Sequence, residues 1–199
     1  ELALQVAHLA RETKLLNVCV TNGSATPQTL ARIIPLLDAV NVDLKGFDRK
    51  KMIATTGMDP AFVMDSIVRL KRSAVWVEVT TLLIPGLNDS DDQLEGIAYF
   101  LADLDPHIPW HISSYHPNYK YETPATPVSS IERAMKIGKE AGLRFVYAGN
   151  VSIPEGEDTH CINCGRALIK REHYTIVEKQ ISNQGRCLYC DHIIPGLSF

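Results

Sequence analysis

The 199-residue sequence contains no apolar run approaching the roughly eighteen residues of a membrane-spanning helix. Residues 1–12 carry charge where a secretory leader would need a basic start and an uninterrupted apolar core. An excess of one charge is missing too: 20 basic residues face 23 acidic ones, for a net charge of −3. No broad basic surface for nucleic acid is expected from that balance. Cysteine is sparse and odd in number, five in all, which speaks against a secreted disulfide framework and for a reducing, cytoplasmic setting. Glycine-rich dinucleotide fingerprints, a Walker loop, H-E-x-x-H and G-x-S-x-G are all absent, so nucleotide, protease and hydrolase readings lack support. The three N-x-S triplets, beginning at Asn22, Asn88 and Asn150, are chance matches to the glycosylation pattern in such a setting.

What is present is an alternation of short apolar runs with amphipathic segments. Residues 1–12 read as a helix with Leu2, Val6 and Leu9 on one side. Strands are expected at 15–20, 39–44, 74–84, 111–114 and 143–147. Helices are expected at 29–37, opened by Pro27, and at 60–71, 91–101 and 129–141. Strands apolar on both sides and separated by helices predict an α/β fold with a mostly parallel sheet, either doubly wound or closed into part of a β/α barrel. Thr21-Asn22, Asp43 with Lys45, residues 85–90 and residues 114–116 all fall at or just past strand ends, the functional edge of such sheets.

Composition changes after Pro154, which divides the chain into 1–154 and 155–199. The second part carries Cys161-x-x-Cys164 and Cys187-x-x-Cys190, separated by a hairpin-sized segment in which Tyr174, Ile176 and Val177 supply strand character and residues 183–185 a turn. Two such pairs bring four soft ligands together, the requirement for tetrahedral zinc. Iron held by the same thiolates is one alternative, and redox dithiols or no metal at all is the other. Gly165 is expected to relieve crowding beside the first turn, and Asn88-Asp89-Ser90 to cap the helix at 91. With four thiolates the site is closed, so it would be structural, and metal binding would contribute directly to the folding of so small a unit. His160, His173 and His192 are read as bystanders.

At the candidate mouth, Asp43 and Lys45 lie one residue apart and would share a side if the strand continues through them, ready for a zwitterionic or hydroxylated ligand. A plain strand-end ion pair is the other reading. His116 offers a hydrogen bond or a stacking surface to a nucleoside, with an isolated histidine of no such role as the equal alternative, while His111, near a strand start, reads as structural. Thr80 and Thr81 are expected to donate hydrogen bonds into a barrel interior, and Cys19 to be a buried apolar residue.

In order, V-C-V-T-N-G at 18–23, V-D-L-K-G at 42–46, V-E-V-T-T-L-L-I-P-G-L-N-D-S at 77–90 and W-H-I-S-S-Y-H-P at 110–117 resemble the radical SAM enzymes related to pyruvate formate-lyase activating enzyme. The four-cysteine tail, ending I-P-G-L-S-F, is similar to that of the radical SAM member of the AmmeMemoRadiSam system, and the resemblance spans essentially the whole chain. It implies an incomplete radical SAM-type β/α barrel followed by a small zinc-ribbon-like domain. In the intact enzyme a [4Fe-4S] cluster would bind S-adenosylmethionine and cleave it reductively, giving a 5'-deoxyadenosyl radical that takes hydrogen from an unknown substrate. By resemblance, Asn22 belongs to a strand-end polar site, Asp43 and Lys45 to the methionine or ribose side of the S-adenosylmethionine site, and His116 to its ribose or adenine side, with Thr80 as a further candidate.

The sequence departs from that family in lacking the C-x-x-x-C-x-x-C cluster loop and the Gly-Gly-Glu segment. The four tail cysteines do not substitute, because a S-adenosylmethionine-cleaving cluster needs three ligands and an open iron. The expectation is therefore a C-terminal portion, inactive by itself, whose open sheet edge is covered by a missing N-terminal segment or by a second copy in a homodimer. A zinc-ribbon-containing interaction or regulatory protein that keeps a degenerate barrel is the alternative. A conventional hydrolase or aldolase is a weaker third, for want of a nucleophile and base pair.

Overall fold

In the computed structural model, residues 1–173 and 175–196 are described; Tyr174 and the last three residues of the I-P-G-L-S-F ending lie outside them. The first part contains α1 (Leu2–Glu12), β1 (Val18–Thr21), α2 (Pro27–Ile33) with a 3₁₀ turn at Ile34–Leu36, β2 (Ala39–Asp43), α3 (Arg49–Thr56) and α4 (Pro60–Lys71). It continues through β3 (Trp76–Leu83), α5 (Asp91–Leu104), β4 (Trp110–Ser114), α6 (Val128–Glu140) and β5 (Val146–Gly149). The second part adds β6 (Thr159–His160), β7 (Ala167–Glu172) and β8 (Thr175–Lys179).

The five strands β1 to β5 form one parallel sheet in sequential order. A doubly wound sheet reverses its strand order partway, whereas sequential crossovers of one hand keep the helices on a single face. The strands therefore make an arc of a β/α barrel. The helix-facing residues Val42, Val77, Val79, Leu83, Trp110 and Ile112 pack into one core with Val63, Ile67, Leu94, Ile97, Leu101 and Ile131. Each large side chain so buried contributes about 1.5–3 kcal/mol.

The alternate residues of β2 to β5 form the concave face. Asn41, Asp43, Glu78, Thr80, His111 and Tyr147 are all half-buried there. This corrects the expectation of strands apolar on both sides: only the face under the helices is dry. Thr80 and Thr81 divide accordingly. Thr80 faces the concave side, while Thr81 is fully buried under the helices, donating to the Leu44 carbonyl at 2.9 Å and accepting from Trp110 Nε1 at 3.0 Å.

Helix α3 was not expected from the sequence. Only Met52 of its eight residues is buried, so there is no apolar stripe to reveal it, although Asp48 caps its first turn by accepting from the Lys51 amide at 3.0 Å. The last strand lies at 146–149 and not at 143–147, because Leu143 and Phe145 are buried by the elements around the strand, Leu143 in the main core and Phe145 in the core of the tail. Cys19 is half-buried, packed against the main core, and burial raises its thiol above the usual value.

The three tail strands form a separate antiparallel sheet, β6-β7-β8. It is bound to the arc through β5: the Ala148 amide donates to the Gly156 carbonyl at 2.8 Å, and Phe145 packs with Cys161, Leu168, Cys187 and Ile194. No described helix is long and apolar enough to cross a membrane.

Candidate functional site

Asp43 ends β2, and Lys45 follows on the same side with its Nζ 2.8 Å from Asp43 Oδ2. The pair is 32% and 40% exposed, so as an ion pair it contributes only about 0–1 kcal/mol, and stability alone does not explain the effort spent in holding it. That effort is visible in the backbone. Asn88, 1% exposed, donates from Nδ2 to the carbonyls of Lys45 at 2.6 Å and Leu82 at 2.9 Å and accepts from the Ile84 amide at 2.7 Å. Thr81 grips the carbonyl of Leu44 between the two charged residues. Asn88 therefore locks the loop after β3 onto the loop after β2, and the expected capping role is not what it does. Ser90 occupies the N-cap of α5 without a side-chain bond, and Asp89 accepts from the Gly86 amide at 2.8 Å.

Thr80 is the register partner of Asp43, and its hydroxyl donates to Asn41 Oδ1 at 2.8 Å. Asp43, Lys45 and Thr80 are thus brought together. Asn22 and His116 occupy loops after β1 and β4, at the same edge of the sheet, and among the described residues neither is hydrogen-bonded to that trio. Asn22 is exposed and accepts from the Ser24 amide at 3.0 Å. His116, also exposed, has Nε2 3.1 Å from the Asn150 carbonyl. Gly23 shapes the first loop: its φ is +72°, and a Cβ there would lie 2.7 Å from Val63 and 2.9 Å from Val42, so no other residue fits without displacing the core.

The concave face carries a group that sequence reasoning missed. Glu78 accepts from Trp76 Nε1 at 3.0 Å through one oxygen and lies 2.8 Å from His111 Nε2 through the other. Burial pushes its carboxyl up, but the hydrogen bonds from His111 and Trp76 outweigh that and hold it below the ordinary carboxylate value. His111 stacks on Tyr147 at 5.2 Å, and the Tyr147 hydroxyl lies 3.0 Å from Thr159 Oγ1, which also accepts from Arg171 Nη1 at 2.9 Å. Burial raises the Tyr147 phenol above its usual value, only partly offset by Thr159 and by the Arg171 charge. His111, the second residue of β4, is thus part of a polar row running from the sheet into the tail. The two-residue alternation of Trp76, Glu78 and Thr80 against Val77, Val79 and Thr81 was the available signal.

In the tail, two knuckles repeat one geometry. The Cys161 amide donates to the Arg166 carbonyl and the Gly165 amide back to the Cys161 carbonyl, both at 2.9 Å; Cys187, His192 and Asp191 repeat the same two bonds at 2.9 Å. The fifth residue of each turn is left-handed, Gly165 at φ +73° and Asp191 at +58°. Gly165 is required for that conformation, not for want of space, since a Cβ there would meet nothing within 4 Å.

The four sulfurs lie within 4.8 Å of one another, with Cys161–Cys190 at 3.7 Å and Cys164–Cys187 at 3.8 Å. A tetrahedron with metal–sulfur bonds of about 2.3 Å has edges of about 3.8 Å. Asn163 Nδ2, 3.6 Å from Cys190 Sγ, and the His192 amide pull the Cys190 thiol down to about 6. Cys164 moves the other way, to about 11: the Arg166 amide lowers it, but burial and its own donation to the three other sulfurs raise it more. Four sulfurs this close cannot all be anions unless a cation sits among them, and this donor set fits a tetrahedral metal ion. Among the described residues this metal-competent group contains only the four cysteines; His160 instead faces Glu155 at 3.9 Å.

This arc of parallel strands with a polar mouth is the fold of radical SAM enzymes: a domain of the pyruvate-formate lyase-activating enzyme from Bacteroides vulgatus superposes over 74% of this chain and 89% of its own, with a TM-score of 0.65 and 19% identity. A radical SAM methyltransferase from Sphaerobacter thermophilus shares the fold at a TM-score of 0.55, 18% identity, and coverage of 68% of this chain and 41% of its own. In sequence, the chain is 38% identical over 187 residues to an uncharacterized protein of Methanocaldococcus jannaschii, covering 92% of this chain and 55% of that protein. Its homologues include activating enzymes, among them the isethionate sulfite-lyase activating enzyme of Oleidesulfovibrio alaskensis, 26% identical over 57% of this chain and 37% of that enzyme. No family model matches. The chain spans about half the length of the curated relatives it matches.

Proposed function

We propose that this chain is the C-terminal portion of a radical SAM enzyme of the AmmeMemoRadiSam type, with Asp43 and Lys45 in its S-adenosylmethionine site. The observation that carries this reading is the Asp43–Lys45 pair, presented at the strand ends and held there by the buried Asn88. A carboxylate and an ammonium side by side, with Thr80 adjacent, match the hydroxyl-bearing and zwitterionic parts of that molecule. Asn22 and His116, at the same edge, are assigned to its periphery. S-adenosylmethionine would supply the radical chemistry once a reducing cluster is beside it. The residues of this chain do not fit such a cluster: outside the paired knuckles, Cys19 is the remaining cysteine. The role of this part is then to bind and orient, and the chain alone is inactive.

The tail, taken as 155–199, is assigned a structural zinc on Cys161, Cys164, Cys187 and Cys190. The matching knuckles and the closed four-sulfur set support zinc over a site with an open position. The outer edge of β1 is assigned to a preceding chain segment. β1 pairs with β2 alone among the described strands, and the 187 matched residues are 55% of the Methanocaldococcus jannaschii relative.

Two measurements test these assignments. In the longer protein, S-adenosylmethionine affinity measured by equilibrium dialysis should fall on changing Asp43→Ala and on changing Lys45→Ala; unchanged affinity in both rejects the site. The chain as it stands, purified anaerobically, should carry equimolar zinc and no acid-labile sulfide. A S-adenosylmethionine-responsive cluster signal from this chain would overturn the division of labour.

A further inference from the structure

On the concave face, between the sheet and the tail, lies a cavity of about 900 Å³. That volume lies in the range of small-molecule sites, which are mostly apolar with a few converging polar groups. Val18, Trp76, Ile169, Ile181 and Ile194 supply apolar walls, and His111 and Tyr147 supply aromatic ones. Into this space Glu78 presents a carboxylate that is one third exposed.

Of its roughly four acceptor positions, three are taken by Trp76 Nε1, His111 and Asn41, which leaves one open. Burial raises this carboxyl, but the hydrogen bond and charge of His111 and the bonds from Trp76 and Asn41 lower it more, so the charged form is favoured. The basic group beside Glu78 is His111, at 2.8 Å, while Arg171 of the same lining is engaged elsewhere: its Nη1 donates to the Glu157 carbonyl at 2.7 Å and to Thr159, and its guanidinium lies 5.8 Å from the Tyr147 ring centroid. Tyr147 and His111 stand between it and Glu78.

We infer that this cavity binds an organic cation, a primary ammonium on an apolar body, with Glu78 taking the charge and the aromatic rings beside it lining the approach. An anion is met by a carboxylate here, and a neutral apolar molecule leaves its open acceptor position unfilled. Partly desolvated charge next to aromatic faces favours ammonium over both. The inference is independent of the S-adenosylmethionine assignment, since it concerns other residues and is tested without that ligand.

The test uses this chain with hexylamine, hexan-1-ol and hexanoate as probes, followed by calorimetry and by tryptophan fluorescence. Trp110 is fully buried, so a spectral response reports on Trp76, which is bonded to Glu78. Hexylamine should bind saturably with a Kd of about 1 mM or tighter and shift the emission, with hexan-1-ol at least about tenfold weaker and hexanoate silent. Glu78→Gln should weaken hexylamine by about tenfold and bring it level with the alcohol. No saturable hexylamine binding, or equal binding of alcohol and amine to the unaltered protein, overturns the inference. The probe comparison on the unaltered chain decides the matter even where Glu78→Gln fails to fold.

Discussion

The mouth of the arc and the knuckles of the tail assemble their polar groups in opposite ways. The four sulfurs come from two short turns, each of which builds its own geometry from hydrogen bonds within six residues. Asp43, Lys45 and Thr80 come from two strands, and the residue that fixes them, Asn88, sits 43 positions beyond Lys45 in the chain. A knuckle is local chemistry that needs an ion to hold it. The mouth is long-range chemistry that needs an intact core behind it.

If that contrast holds, losing one sulfur should be the most severe change and the most confined. Cys187→Ser should remove most of the metal's contribution to folding the tail, on the order of 10 kcal/mol. Metal analysis and hydrogen exchange should show the metal lost and protection gone from β6 to β8 and around Phe145, with α4 and β3 still protected. Global unfolding would break the comparison.

At the mouth, Asn88→Ala leaves three buried backbone groups without their partner and should cost about 2–3 kcal/mol, read as a lower denaturation midpoint. It should leave metal content unchanged. A smaller test sharpens the likeness of the two knuckles. Gly165→Ala should weaken metal retention by about 1 kcal/mol and Asp191→Gly should strengthen it by a similar amount or less, since the first adds and the second removes a side chain from a left-handed backbone. Competition with a chelator measures both. Asp191 also accepts from Arg186 Nη1 at 3.1 Å, which limits the gain.

The smallest effect is one of pH. The Glu78 carboxyl is lower in the folded protein than its ordinary value of 4.5, so its contribution is fully present above that value. It is lost as pH falls through the lower folded value. A stability profile between neutral and acid should therefore drop less below about pH 4.5 in Glu78→Gln than in the unaltered protein. An unchanged profile would show that the His111 and Trp76 bonds do not favour the ionised form.

The knuckles were legible because spacing alone brings thiolates together, and the strands because apolar runs need a dry face. Helix α3 was not, since a helix with one buried residue leaves no periodic trace. The Glu78–His111 pair was hidden for a different reason. The run at 77–84 reads as generally apolar, and only the alternation of burial separates Glu78 and Thr80 from Val77, Val79 and Thr81. Asn88 resembled a helix cap, and nothing local to it indicates that its amide reaches Lys45.

By itself, then, the sequence determined the alternation of strands and helices, the four-sulfur set, and the placing of Asp43 and Lys45 on one side of a strand end. Each follows from interactions between residues close along the chain. Tertiary structure alone decided that the sheet curves with one wet face, that Glu78 meets His111 across β3 and β4, and that the tail packs on Tyr147 of the arc's last strand and on Phe145 just before it. Those outcomes depend on which distant groups become neighbours when the helices cover one side of the sheet, and a buried polar atom takes whatever partner that packing supplies.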